Sequence, residues 1–135
     1  MTDAPLYFAP LGGAGEIGMN VNLYGAEGRW MMVDLGLTFA DERLPGVDII
    51  LPDIGFVAEE RERLDGLVLT HAHEDHLGAV PYLWPRLDCP IWCVPFTAAV
   101  LRRKLEESGI RRRVPIRVVQ PGEAFTVGSF VCRFV

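Results

Sequence analysis

A chain of 135 residues that is 50% hydrophobic and 23% charged, with 14 glycines and 10 prolines, has the size and make-up of one globular domain. That composition excludes a disordered tail, a coiled coil and a collagen-like fibre, and no apolar run approaches the ~18 residues a membrane span needs. The net charge of −5 by itself argues weakly against a chain that coats nucleic acid.

In chain order, Met1-Thr2-Asp3-Ala4-Pro5 has no basic region before an apolar stretch, so a secretory leader is not expected. Leu6 to Leu11 is a short apolar run that ends in Gly12-Gly13. Val21 to Tyr24 and Trp30 to Val33 read as strands joined by the turn residues Gly25 to Gly28, which predicts a hairpin. Residues 35 to 64 read as irregular, with a short helix over Val57 to Leu64. Leu67-Val68-Leu69 suits a buried strand. A helix is predicted over Leu77 to Leu87, with Pro81 in its first turn, then a buried strand over Ile91 to Val94. Thr97 is placed as the cap of a helix reaching Glu107, with Ser108-Gly109 as its stop and Ala98, Leu101 and Leu105 on its apolar face. Ile116 to Val119, Ala124 to Val127 and Phe130 to Val135 are three further strands, with a Pro-Gly turn at 121–122. The alternation of strands and helices in the middle of the chain, between β-rich ends, predicts an α/β layered domain. Its last strand runs to the final residue, which predicts a domain that continues beyond it.

Charge and cysteine add two points. Residues 1–100 carry 15 acidic and 5 basic groups, whereas residues 101–135 carry 3 acidic and 8 basic ones, gathered at Arg102-Arg103-Lys104 and Arg111-Arg112-Arg113. Such a cluster can meet phosphate, although a solvated helix face and its exit loop is the plainer account. Three cysteines, an odd count, argue against a disulfide framework and fit a reducing cytoplasm, and Cys89 and Cys93 read as buried core thiols rather than a metal pair.

All three histidines lie in Thr70-His71-Ala72-His73-Glu74-Asp75-His76, directly after the buried strand. A tight loop at a strand end lets several side chains converge, and neutral imidazoles with a carboxylate are zinc ligands. Three imidazoles and a carboxylate can serve two ions. The spacing speaks to the metal and not to the substrate. Gly13, Gly15 and Gly18 have dinucleotide-like spacing, but the residues that follow read as a strand, so a tight turn near the metal centre is the better account. Asp48 and Asp53 border either a substrate path or simple turns beside prolines.

His-x-His-x-Asp-His after a short apolar strand resembles the metal loop of the metallo-β-lactamase fold. Gly12-Gly13-Ala14-Gly15-Glu16-Ile17-Gly18-Met19-Asn20, Leu44 to Asp53, and Thr70 to Leu83 together resemble the opening of the ribonuclease J family, of the β-CASP group, over essentially the whole chain. The resemblance implies the first half of a four-layer αββα sandwich (α/β, or α+β, in class), with residues 1–135 as the N-terminal part of the metallo-β-lactamase domain and the β-CASP and C-terminal domains absent. It implies two zinc ions, with His71 and His73 on the first and Asp75 and His76 on the second, and Asp34 supporting the loop without ligating. It gives Asp75 the catalytic task of orienting zinc-activated water and taking its proton. Zinc brings the pKa of such a water to about 7. The implied activity is RNA hydrolysis, internal and from the 5′ end, by a cytoplasmic homo-oligomer without membrane attachment. Arg111, Arg112 and Arg113 are the candidate RNA contacts.

The chain departs from the family pattern in one respect. The family needs a third histidine on the first zinc, a bridging aspartate and a last histidine, and no histidine follows His76 here. A first zinc on two imidazoles binds weakly. The half-sandwich is expected to leave one face of its sheet bare, and so to be poorly soluble or oligomeric and nearly inactive alone. Two alternatives stand beside this reading: another hydrolase of the same fold acting on small esters, and a non-catalytic module that binds RNA or a partner through its arginines.

Overall fold

The computed structural model describes residues 5–15, 18–40, 43–110 and 113–135. Val21–Ala26 (β2) and Arg29–Val33 (β3) form the predicted hairpin. Its loop is the pair Glu27-Gly28, with φ of +54° and +77°. Two positive φ values match the twist of the flanking strands, which is why a two-residue loop suffices. Tyr7–Gly12 (β1) adds antiparallel to the outer side of β2. The remaining strands of this sheet run parallel to β3: Leu64–Val68 (β6), Ile91–Cys93 (β7) and Ile116–Val118 (β8). Parallel neighbours need crossovers. Helices supply them: Gly55–Glu59 (α1) before β6, Glu74–Leu77 (α2) and Val80–Leu87 (α3) before β7, and Pro95–Ser108 (α4) before β8. The sheet order is β1-β2-β3-β6-β7-β8. Thr38–Phe39 (β4) and Ile49–Ile50 (β5) make a small separate pair. Among the described residues, no helix is long and apolar enough to cross a membrane.

Side chains alternate between the two faces of the sheet, so each face carries its own row. Ala9, Leu23, Met32, Leu67, Ile91 and Ile116 stand next to one another across all six strands. They face the helices and form the main core with Ile54, Val57, Leu83, Trp84, Leu87, Ala98 and Leu101. The adjacent row, Val33, Val68, Trp92 and Arg117, faces the other way. There Ala124–Val127 (β9) and Phe130–Arg133 (β10) pair as a hairpin and lay Phe125, Val127, Phe130 and Cys132 over Met31, Val68 and Trp92. The rings of Trp92 and Phe125 stack at 6.5 Å, and the Arg117 guanidinium covers Trp92 at 4.9 Å.

This hairpin corrects the expectation of a bare sheet face. The β6–β7 end of that face is roofed, with Val68 and Trp92 each 7% exposed, and Phe8 on β1 remains 56% exposed. The layers are therefore helices, a six-stranded sheet and a two-stranded one.

Three local expectations also change. The helix predicted over 57–64 begins earlier, at Gly55, because Asp53 Oδ1 accepts the Gly55 N–H at 2.9 Å. Arg61–Arg63 is a single 3₁₀ turn, and Leu64 already belongs to β6. The helix predicted over 77–87 is two helices, because Pro81 has no N–H to continue the first and Ala79 donates instead to the Leu35 carbonyl at 3.1 Å. Thr97 does not cap α4: that helix starts at Pro95, whose fixed φ suits a first turn, and Thr97 is buried within it. Gly109, with φ of +74°, ends the helix as predicted.

Candidate metal centre

β3 and β6 lie side by side and parallel, so the residues that leave their carboxyl ends meet. Asp34 leaves β3 and Thr70 follows β6. Asp34 is only 4% exposed and holds a φ of +67°, a left-handed conformation that aspartate tolerates better than most residues. Its backbone N–H is tied to the Val68 carbonyl at 2.8 Å. This turns the carboxylate toward the His-rich loop. Its Oδ1 accepts the Thr70 backbone N–H at 2.8 Å, and both oxygens lie within 3.0 Å of Thr70 Oγ1. Oδ2 is 2.7 Å from His76 Nδ1.

The histidines gather around this carboxylate. The ring centres of His71 and His76 are 4.0 Å apart, and those of His71 and His73 are 4.7 Å apart. One turn of helix does part of this, since His73 opens α2 and its carbonyl accepts the N–H of His76 at 2.9 Å. Asp75 Oδ2 is 3.4 Å from His76 Nε2. Burial, then the neighbouring His76, hold the His71 ring below the usual imidazole range. That favours the neutral ring, the form that ligates a metal.

The backbone around the loop is held from outside. Asn20 donates to the Asp75 carbonyl through its backbone N–H at 3.0 Å and through Nδ2 at 2.9 Å, and Nδ2 also lies 3.4 Å from Asp75 Oδ2. Leu35 and Leu37 donate to the carbonyls of His76 and Glu74. Gly36 sits between them, and a β-carbon there would overlap the Asp75 carbonyl oxygen at 1.7 Å. Lys104, on α4, forms an ion pair with Glu74.

The donor set fits a zinc-like ion in kind, being imidazoles with a carboxylate. The carboxylate behind His76 leaves the outer ring nitrogen to face an ion. Among the described residues, however, no three His, Cys, Asp or Glu side chains make a ready-formed metal group. The glycine-rich stretch leads into β2, and through Asn20 it touches the His loop. Glu16 and Ile17 of that stretch, like Arg111 and Arg112, lie outside the described residues.

Arg113 is not brought to the histidines. It precedes the amino end of β8, whereas the histidines follow the carboxyl end of β6, in a sheet where the two strands run parallel. It lines a cleft of about 520 Å³ with Arg102, Glu106 and Arg117. Cys89 and Cys93 are buried in the main core as predicted, and burial pushes their thiols up to about 12 and about 11. Asp53 acts as a turn residue through its bond to Gly55.

Sequence reasoning gave no role to Asn20, Thr70 or Gly36, and it read Lys104 only as part of a basic cluster, not as the partner of Glu74. Asn20 and Thr70 stood inside the stretches that carry the resemblance. Nothing local marks Gly36 or the pairing of Lys104, because their partners are remote in sequence.

The model of the metallo-beta-lactamase superfamily matches residues 14–131. Ribonuclease J of Sinorhizobium meliloti is 48% identical over 132 residues, covering 95% of this chain and 23% of that protein. Ribonuclease J of Synechocystis is 40% identical over 132 residues, covering 96% of this chain and 21% of that protein. Ribonuclease J of Helicobacter pylori is 34% identical over 133 residues, covering 98% and 19%. The chain thus spans about a fifth of the length of these relatives. Among solved structures, the metallo-beta-lactamase fold protein YhfI of Bacillus subtilis superimposes with a TM-score of 0.62 at 18% identity, covering 96% of this chain and 51% of that one. The Rm3 metallo-beta-lactamase gives 0.58 at 18% identity, covering 93% and 46%.

Proposed function

The chain belongs to the metallo-beta-lactamase superfamily, and from that premise we propose that it is the N-terminal part of a ribonuclease J-type, zinc-dependent RNA hydrolase. The observation that carries the reading is the convergence of His71, His73, His76 and Asp75 around a buried Asp34. It occurs in a chain 34–48% identical to ribonuclease J proteins along almost its whole length.

His71 and His73 would hold one zinc ion, and Asp75 and His76 a second. When bound, zinc supplies a water acidic enough to act as a nucleophile near neutral pH. The Asp75 carboxylate is 38% exposed and faces the His76 ring, a position from which it can take a proton from such a water. Asn20 keeps Asp75 in register by holding its carbonyl and approaching its carboxylate. Asp34 is buried and orients His76. The third histidine on the first ion, and the residues that complete the second, would come from outside this segment.

RNA is the substrate in this reading, attacked internally and from the 5′ end by a cytoplasmic homo-oligomer. Arg113, at the other end of the sheet, would meet the RNA backbone away from the cleaved bond, with Arg111 and Arg112 beside it in the chain. The test is cleavage of a 5′-monophosphorylated RNA by the full-length gene product, with a small ester as competing substrate. RNA cleavage abolished by His71→Ala, His73→Ala and Asp75→Ala supports the proposal. Hydrolysis of the ester alone, or near-normal RNA cleavage by Asp75→Ala, overturns it.

A further inference from the structure

Thr70 stands between the Asp34 carboxylate and the His71 ring. Its Oγ1 is 2.8 Å from Asp34 Oδ2, 3.0 Å from Asp34 Oδ1 and 2.9 Å from His71 Nδ1. His76 Nδ1 lies on the same carboxylate, at 2.7 Å from Oδ2. A hydroxyl has one proton and a carboxylate has none to give. If Thr70 gave its proton to His71, its oxygen lone pairs would face two carboxylate oxygens with nothing between them. The proton therefore goes to Asp34, and the hydroxyl oxygen is left to accept.

The partner it accepts from is His71 Nδ1, which must then carry a hydrogen. His76 Nδ1 must carry one too, because it meets the carboxylate directly. A neutral imidazole protonated at Nδ1 has its lone pair at Nε2. One buried carboxylate thus sets the tautomer of two rings, directly for His76 and through one hydroxyl for His71.

We infer that Thr70 is a positioning residue that passes the orienting effect of Asp34 on to His71, so that His71 and His76 both present a bare Nε2 to a metal ion. The consequence for metal affinity rests on reading these two rings as ligands, whereas the tautomers do not. The backbone N–H of Thr70 keeps its own bond to Asp34 Oδ1 whatever side chain stands there, so the loop stays anchored when only the hydroxyl is removed.

The test uses the full-length gene product with ¹⁵N-labelled histidine, free of metal at pH 8. Long-range ¹H–¹⁵N spectra distinguish a protonated from a bare ring nitrogen. The expected result is Nδ1–H on both His71 and His76. In Thr70→Val, His71 shifts toward Nε2–H while His76 is unchanged, and Thr70→Ser restores the parent pattern. Zinc affinity, measured against a competing chelator, falls about 10–100-fold in Thr70→Val and recovers in Thr70→Ser.

A wild-type His71 protonated at Nε2 overturns the inference, as does a Thr70→Val spectrum with His71 unchanged. If Thr70→Val also loses the His76 pattern, the fold has moved, and the wild-type and Thr70→Ser spectra decide the matter by themselves. The stated tautomers in a full-length gene product that binds no zinc uphold the relay and sink the metal reading.

Discussion

Replacing Gly36 with alanine places a single methyl group against backbone that cannot yield. The new carbon would lie 1.7 Å from the Asp75 carbonyl oxygen, 2.1 Å from its carbon and 2.7 Å from the His76 nitrogen. Ordinary contact begins at 3.4 Å, so residues 35–37 and the first turn of α2 must part by at least 1.7 Å. That distance is enough to break the bonds from Leu35 to His76, from Leu37 to Glu74 and from Asn20 to Asp75, which are 2.8–3.0 Å long. Each is worth about 0.5–1.5 kcal/mol net. Overpacking adds about 1–3 kcal/mol. Some of this is relieved by relaxation, which leaves an expected loss of about 3–5 kcal/mol. Urea unfolding followed by tryptophan fluorescence measures it. Gly46→Ala is the control, since Gly46 has a φ of +82° but open space around it and should lose only about 1–2 kcal/mol. A Gly36→Ala cost no larger than that of Gly46→Ala would refute the steric argument.

Two further outcomes are expected. Cys89 and Cys93 stay inert to a thiol reagent at pH 8 in the folded chain, while the partly exposed Cys132 reacts first. A thiol whose pKa rises on folding favours the fold while protonated. That contribution is whole below the ordinary value of 9.0 and is lost as pH climbs through about 11 for Cys93 and about 12 for Cys89. The urea midpoint should therefore fall above pH 9, and a Cys89→Ala/Cys93→Ala chain that shows the same fall would contradict this cause. Lys104→Met removes the partner of Glu74, both side chains being partly exposed, and should cost about 0.5–1 kcal/mol at low salt and less in 1 M salt. A loss that salt does not change would assign the effect to packing.

The parts of the fold legible in the sequence were those with short-range causes. Val21 to Ala26 alternates between buried and half-exposed positions up to a two-residue turn, and such a pattern restricts the pairing register. The His loop was legible because every histidine of the chain falls within it. What the sequence hid is mostly long-range. His76 and Asp34 are 42 residues apart, and Asn20 and Asp75 are 55. No spacing rule predicts that two strand ends will lie side by side. The break at Gly78-Ala79 was hidden for a different reason: the apolar pattern runs through it, Pro81 suited the first turn of a single helix, and the bond from Ala79 to Leu35 is remote in sequence. Thr97 was misread because a threonine before an apolar run signals a cap only when nothing upstream can start the helix, and Pro95 can.

The two cores of the molecule differ in when they can form. The helix-side core is complete once residue 116 is in place. The smaller core is not, because Met31 meets Cys132 across 101 residues, with the sulfurs 3.6 Å apart. Closing so long a loop adds little to the equilibrium cost, which grows only with the logarithm of length. It does place the event late in folding. On a ribosome, Met31, Val68 and Trp92 would emerge and wait as an apolar strip while about forty more residues are made, at ~5–20 residues per second. The β9–β10 hairpin is therefore a closing clasp as well as a layer. The seconds before it fastens are when this chain is most open to capture by a chaperone or by another copy of itself.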